Sequence, residues 1–187
     1  MAIFWHHVGD QLSKRDFPRT IGSQRFGLRE FKLEDVESDI DEGVGFQLNE
    51  LKDGYARIGS STFQIWGVPT GAKTALNKLR TGDWLLLLNS SEDYGFFEYC
   101  GRVLLRVPGE QWKLSYKLWG EQKFPIILFL KGTIVYYPWP EFVNDLGYGT
   151  GLKGMGRVHS ISEKALANSR FGSEYSFMSY VGSKTDQ

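Results

Sequence analysis

The sequence contains little cysteine or histidine and has no excess charge of either sign. Its 187 residues include one Cys and three His, and 22 Lys+Arg balance 22 Asp+Glu. One cysteine excludes a disulfide framework, and so few thiols and imidazoles exclude a Cys/His zinc site. The balanced charge argues against a generally basic nucleic-acid-binding protein but leaves room for a local basic face. We therefore expect a chain without a metal or a cofactor.

Long hydrophobic runs are also missing. The apolar run Trp84–Leu88 is bounded by Asp83 and Asn89, and it is far shorter than the ~20 residues of a membrane-spanning helix. The start of the chain lacks the cationic and apolar regions of a secretion signal. The sequence therefore predicts a cytoplasmic protein that has no membrane partner.

Aromatic residues are abundant, with six Trp, nine Tyr and 13 Phe. With 41% hydrophobic residues, a chain of this length can bury a sizeable core, which predicts one globular domain. The surplus of tryptophan raises the question of which rings belong to that core and which form a functional site.

The hydrophobic pattern predicts about six strands and three or four short helices that do not alternate regularly. Residues 9–27 are interpreted as a long polar connection, residues 31–41 as a solvated acidic segment, and residues 48–57 and 110–119 stay ambiguous. Such a pattern predicts an α+β domain built on a curved mixed sheet or barrel with flanking helices. The strands are expected at 3–8, 62–68, 83–89, 95–107, 125–130 and 133–137, and the helices at 70–80, 138–146, 160–168 and 175–181.

Two tryptophans lie beside glycine at the edges of predicted strands. Trp66 precedes Gly67 at the end of one strand, and Trp119 precedes Gly120 in the loop before another. Two such rings facing each other would form a slot for a flat, polar-edged ligand. A flipped nucleobase fits such a slot, because stacking on an aromatic ring contributes ~1–3 kcal/mol per base. Core packing of both rings is the alternative.

Several segments together resemble the YTH/EVE branch of PUA-like domains, in order and approximate spacing over about residues 60–140. They are the run 65–79, the predicted strand 84–88, the predicted strand that ends at Val107, and the run 118–124. The N-terminal segment Ile3–Val8 also resembles EVE domains. The resemblance implies a PUA-like fold and a reader of N6-methyladenine that holds the base in an aromatic cage.

The resemblance also implies roles for individual residues. Trp66 and Trp119 match two walls of the cage and Phe124 a third, while the carbonyl of Gly67 matches the acceptor of the methylated amine. Asp53 is the candidate for the acidic side chain that reads the adenine ring. Binding would use base flipping and no catalysis.

EVE/YTH-like domains often occupy the N-terminus of McrB proteins in modification-dependent, McrBC-type restriction systems. The resemblance therefore implies that residues 1–187 form one EVE/YTH-like recognition domain of a larger phage-defence protein, in which residues 9–57 are an insertion or a long connection. We expect this domain to be a monomer that binds double-stranded DNA carrying a modified base. The full-length protein would be a GTP-dependent motor, hexameric and paired with a nuclease.

Basic residues near the two tryptophan motifs are candidates for contacts with the nucleic-acid backbone. A solvated surface is the alternative for each of them, and the acidic residues between Leu33 and Glu42 balance their charge over the chain. If they neutralise phosphates, binding weakens steeply with salt. The candidates are Lys73, Lys78 and Arg80 on the predicted helix, Lys117 and Lys123 around Trp119, and Lys153 and Arg157 in or beside the glycine-rich segment 147–156.

Other functions fit parts of the same sequence. A YTH-like fold also suits an RNA reader of N6-methyladenosine, and an aromatic cage also suits 5-methylcytosine or 5-hydroxymethylcytosine in DNA. A small metal-dependent nuclease is a further alternative, with Asp41, Glu50 and Lys52 as its candidate residues.

Overall fold

The structure is a computed structural model that describes residues 1–41, 45–58, 61–72, 76–149 and 157–185. Its strands are β1 Ile3–His7, β2 Gly22–Ser23, β3 Gly27–Leu28, β4 Gln64–Val68, β5 Trp84–Leu88, β6 Phe96–Arg106, β7 Ile126–Pro138 and β8 Val158–Ser160. Its α-helices are α1 Asp10–Thr20, α2 Gly45–Ile58, α3 Trp112–Trp119, α4 Trp139–Leu146, α5 Glu163–Asn168 and α6 Glu174–Gly182. Short 3-10 turns cover Leu33–Asp35, Glu37–Asp39 and Thr70–Ala72.

Six strands form one mixed sheet in the order β4-β7-β6-β5-β1-β8, and β2 and β3 form a separate hairpin. Strand β1 runs parallel to β5, whereas the other neighbours are antiparallel. The pairing of β6 with β7 shifts register twice, and such irregularities bend strands. The sheet curls so far that Trp66 on β4 donates a hydrogen bond to His6 on β1, although three strands separate them. The expected α+β class with a curved mixed sheet is confirmed.

The core has one cluster on the inner face of this curved sheet and two clusters on its outer face. Alternation of side chains along each strand divides the residues between the faces. The inner cluster includes Phe4, Phe17, Trp66, Leu87, Tyr99 and Leu128. One outer cluster lies under α4, α5 and α6 and includes Trp5, Phe97, Tyr137, Phe142 and Phe177. The other lies under α3 and includes Leu33, Ile65, Leu114, Trp119 and Phe129.

The segment after β1 differs from the polar connection expected over residues 9–27. It forms helix α1 and the β2–β3 hairpin, and Phe17 and Ile21 are buried in the inner cluster. The two residues are four positions apart, so they lie on one face of the helix. This helix was not predicted from the sequence because polar residues surround its apolar face and because Pro18 lies within its last turns. Residues 9–57 therefore contribute to the core.

Smaller differences concern the ends of elements. The two strands expected over 125–137 form one continuous strand, β7, and the ambiguous residues 110–119 contain helix α3. Helix α5 is capped by Ser162, whose hydroxyl accepts from the Ala165 N–H, and not by Ser160 as expected. In the helix expected over 70–80, Leu76 and Leu79 are buried as predicted, whereas residues 73–75 lie outside the described residues. Among the helices described, none is long and apolar enough to cross a membrane.

Candidate nucleic-acid interface

Trp66 lies on the inner face of β4 and closes the gap between β4 and β1. Its side chain is 3% exposed, and its indole Nε1 donates to Nδ1 of His6 at 3.0 Å. The ring of Phe17 on α1 meets the Trp66 ring edge to face, with centroids 5.1 Å apart. Trp66 is therefore covered by a helix and is satisfied by a buried hydrogen bond.

Trp119, Gly67 and Phe124 come together on the outer face of β4. The rings of Trp119 and Phe124 meet edge to face with centroids 5.4 Å apart. A Cβ on Gly67 would lie 2.5 Å from Cη2 of Trp119 and 2.6 Å from Cβ of Phe124, so only glycine fits here without a shift. Trp119 is 3% exposed, and its Nε1 is buried without a hydrogen-bond partner among the described residues. Its carbonyl accepts from the guanidinium of Arg19.

The two tryptophans do not face each other, contrary to the expected slot. Neighbouring residues of a strand point to opposite faces, so Trp66 points away from the side on which Gly67 receives the Trp119 ring. The two rings accordingly belong to different core clusters. A slot between them is not formed in this structure, and contact of either ring with a base is the alternative to the cleft described below.

The structure also places the other side chains proposed for chemistry. Asp53 is exposed on α2. Of the residues considered for a nuclease, Asp41 donates its N–H to Gln111, and Lys52 pairs with Glu37 across 3.5 Å. The described residues contain no group of three or more His, Cys, Asp or Glu that could hold a metal ion.

The lysines around Trp119 are paired with carboxylates. Lys117 forms an ion pair with Asp39, and its hydrogen bond is the largest cause that lowers the pKa of this carboxyl group. Lys123 forms an ion pair with Glu121 and lowers its pKa in the same way. Carboxylates therefore neutralise both lysines in space: Asp39 of the acidic segment pairs with Lys117, and Glu121 pairs with Lys123.

Two other cations predicted to contact phosphates lie near Arg106, at the end of β6. Lys78 and Arg80 are exposed, and the charge of Arg80 adds to burial in lowering the pKa of Arg106 at the end of the strand. Arg157 is exposed at the opposite end of the sheet, before β8, where its carbonyl accepts the N–H of His7 at 3.1 Å. Lys73 and Lys153, which were also predicted to contact phosphates, lie outside the described residues.

A cleft of about 280 Å³ opens at the other end of β6, between α1, the β2–β3 hairpin and strands β6 and β7. Its volume is close to the lower end, about 300 Å³, of the range for small-molecule sites. The lining combines apolar rings with charged groups of both signs, as binding sites for polar-edged flat ligands do. The lining residues are Lys14, Phe17, Pro18, Gly22, Ser23, Gln24, Arg25, Phe96, Glu98 and Ile134.

The side-chain amide of Asn89 and a ring contact hold Glu98 and Phe96 in place at this cleft. The amide of Asn89 donates to Oε1 of Glu98 at 2.9 Å, and its Oδ1 accepts the backbone N–H of Phe96 at 2.8 Å. The Phe96 ring also packs against Tyr136, with centroids 4.5 Å apart. The carboxylate of Glu98 is therefore a fixed hydrogen-bond acceptor beside an aromatic ring.

Sequence reasoning missed this cleft because its residues come from three distant segments. Lys14 and Phe17 belong to the segment interpreted as a polar connection, whereas Phe96 and Glu98 belong to β6, far away in the sequence. One local signal was available. Phe26 interrupts the polar turn Ser23–Gly27, where an exposed phenylalanine has no role in folding.

Comparisons with known proteins bear on the fold. No family profile and no curated protein matches the chain. Among solved structures, the chain is similar to the N-terminal domain of Thermococcus gammatolerans McrB bound to m5C DNA. The two share 14% sequence identity with a TM-score of 0.62, and the match covers 97% of this chain and 99% of that one. The chain therefore shares the α+β fold of that N-terminal domain.

Proposed function

We propose that this chain is a binding module for duplex DNA that carries a methylated base. One observation carries the proposal: the fold matches, over nearly the whole length of both chains, a domain whose structure contains methylated DNA. The cleft beside α1 supports it, because it is concave, aromatic in part, and flanked by the cations Lys14 and Arg25. Such a surface can bind DNA through phosphates and receive one base.

The methylated base is extruded from the duplex in this proposal. A cleft of about 280 Å³ can surround one flat ring system but cannot admit a double helix. N6-methyladenine is the favoured base because of the resemblance to YTH domains, and 5-methylcytosine is the second candidate because the similar structure contains m5C DNA. Both bases keep an exocyclic amine N–H that an acceptor can read.

The proposal extends to the biological setting. A recognition module of this kind would select modified DNA for a modification-dependent restriction complex in the cytoplasm. The module would bind as a monomer and leave cleavage to a partner nuclease, and a GTP-dependent, hexameric motor would belong to the full-length protein. These assignments rest on the resemblance to McrB-type proteins.

A binding panel tests the proposal. The affinity of the chain is measured for otherwise identical duplexes that contain no modified base, N6-methyladenine, 5-methylcytosine or 5-hydroxymethylcytosine, at several salt concentrations. We expect one methylated duplex to bind most tightly and all affinities to fall with salt, because phosphate contacts release counterions. Equal affinity for all four duplexes would contradict the proposal. So would tighter binding to the matching methylated RNA, or metal-dependent cleavage by the isolated chain.

A further inference from the structure

The tip of the β2–β3 hairpin presents a phenylalanine to solvent. Phe26 is 76% exposed, and it is the one phenylalanine among the large exposed side chains of the described residues. The tyrosines that share such exposure, such as Tyr175, carry a hydroxyl group that water can bind. The exposed ring lies next to the cleft and carries a guanidinium against it, so the two features together form a surface that a partner can bind.

The hairpin holds this ring in a defined position. The N–H of Arg29 donates to the carbonyl of Ile21 at 2.8 Å, and the N–H of Phe26 donates back to the Ser23 carbonyl at 3.2 Å. Gly22 has a φ of +116°, and a Cβ there would lie 2.1 Å from the carbonyl oxygen of Gly27. The tight turn therefore depends on glycine and projects Phe26 away from the domain.

The same hairpin forms one wall of the cleft. Gly22, Ser23 and Arg25 line the cleft, so Phe26 stands one residue beyond its rim. Residues on the other side of the hairpin, Pro18 and Leu28 among them, form a shallower depression that includes Phe26 itself. The exposed ring and the cleft are thus adjacent parts of one surface.

The charges around the ring are positive. The guanidinium of Arg25 lies 5.0 Å from the centroid of the Phe26 ring, and Arg29 is exposed at the base of the hairpin. Lys14 lines the cleft from α1. An apolar ring with a guanidinium against it suits DNA, whose stacked bases are apolar and whose backbone is anionic.

We infer that Phe26 is a wedge that enters the duplex where a base has left the stack, and that the extruded base occupies the cleft between Phe17 and Phe96 with its amine donating to Glu98. This inference rests on the proposed function and adds to it the residues that open the duplex and receive the base. The wedge offsets the stacking lost on extrusion, and Arg25 binds an adjacent phosphate. Trp66 supports Phe17 from behind and does not touch the base.

The experiment measures affinity for a duplex with one methylated base, in whichever form the parent chain prefers, and for its unmodified counterpart. Phe26→Ala should weaken binding to the methylated duplex by about 5- to 150-fold, the range that loss of one aromatic stacking contact gives. Phe26→Leu should retain most of the affinity, because leucine also serves as a wedge. The matched control is Tyr175→Ala, which removes an 81% exposed ring from α6 and should change nothing.

A second measurement distinguishes insertion of Phe26 into the duplex from a contact of Phe26 with the DNA surface. When the methylated base stands opposite a mismatch, unpairing costs less, so the defect of Phe26→Ala should shrink. Fluorescence of a 2-aminopurine next to the methylated base should rise with the parent chain and rise less with Phe26→Ala. Glu98→Ala should lower affinity for the methylated duplex by about 5- to 150-fold, since one base-edge contact is lost.

The outcomes distinguish this inference from the proposed function. If the parent chain prefers the methylated duplex and Phe26→Ala binds like the parent, the wedge is wrong and the proposed function stands. If Phe26→Ala loses affinity equally for matched and mismatched duplexes, the ring is a general contact and the wedge is also wrong. If the parent chain shows no preference for a methylated duplex, both fail.

Discussion

The aromatic residues of this chain divide into two regions with opposite exposure. Trp66 and Trp119 are 3% exposed and pack on the two faces of β4, whereas Phe26 is 76% exposed at the tip of a hairpin. In sequence all three stand near glycine and look alike. The difference shows that burial of a ring by neighbouring elements, and not its sequence context, determines its role. Helix α1 buries Trp66, which makes it a stabilising residue, whereas no element of the described chain buries Phe26.

Trp66→Ala should give the largest effect on stability. Removing a buried tryptophan typically costs about 3–5 kcal/mol of unfolding free energy, and the variant also removes the donor to the buried Nδ1 of His6. Urea unfolding followed by circular dichroism measures the change. Trp112→Ala is the control, because this ring is 38% exposed and should cost much less. Equal stability of the two variants would show that Trp66 is not a core residue.

Gly67→Ala should give the next largest effect, on the other face of β4. The new methyl group would lie 2.5 Å from the Trp119 ring and 2.6 Å from Cβ of Phe124, and such overpacking typically costs about 1–3 kcal/mol. Gly71→Ala is the matched control, since a Cβ there meets nothing within 4 Å. Thermal unfolding of both variants checks the difference. A Gly67→Ala protein as stable as Gly71→Ala would contradict the packing of Trp119 against β4.

Acidification should lower stability through two histidines beside β1. Burial, and then the charge of His159, lowers the pKa of His7, while burial and Arg157 lower the pKa of His159, both from an ordinary value of 6.5. The unfolded chain therefore binds protons first as the pH falls below 6.5, and the unfolding free energy decreases there. Carboxylates lose their contribution at lower pH, so measurements between pH 7 and 5 isolate the histidines.

The variant His7→Gln tests that slope. It should reduce the dependence of the unfolding free energy on pH between 7 and 5, because one of the two titrating groups is gone. The parent chain at the same pH values is the reference. A parent whose stability is constant or increases as the pH falls through this range would refute the prediction.

Phe26→Ala should give the smallest effect on stability, within about 0.5 kcal/mol, because a fully exposed side chain away from buried contacts adds little to folding. Chemical denaturation measures it alongside the DNA-binding assays. A loss of several kcal/mol would mean that the ring packs in the folded protein, and the contrast between the two regions would disappear.

The sequence predicted the parts of the fold that local patterns encode. Buried strands such as Trp84–Leu88 and the helix at Trp139–Leu146 were recognisable because their apolar periodicity is strong. Helix α1 was missed because its buried face includes the polar residues Asp16 and Thr20 and because the segment contains Pro18. The sequence spacing between Trp66 and Trp119 could not reveal on which face of β4 the Trp119 ring packs, since that depends on the path of the chain through α3.

The candidate site was harder to predict than the fold. Trp119, Gly67 and Phe124 do meet, as the motif implied, but the ring of Trp66 lies across the strand from them. The cleft depends on long-range contacts between α1, a short hairpin and β6, and no local motif encodes such contacts. The sequence pattern also did not show that Lys117 and Lys123, predicted to contact phosphates, are paired with carboxylates. Asp39 and Glu121 approach these lysines only in the folded chain.

The structure of this chain bound to a duplex with one methylated base is the most direct test of the account. We predict the methylated base outside the stack, between Phe17 and Phe96, with the ring of Phe26 in the gap that it leaves. Trp66 and Trp119 should remain buried on opposite faces of β4. A methylated base that stays stacked in the duplex, or one held by Trp66 or Trp119, would contradict the account.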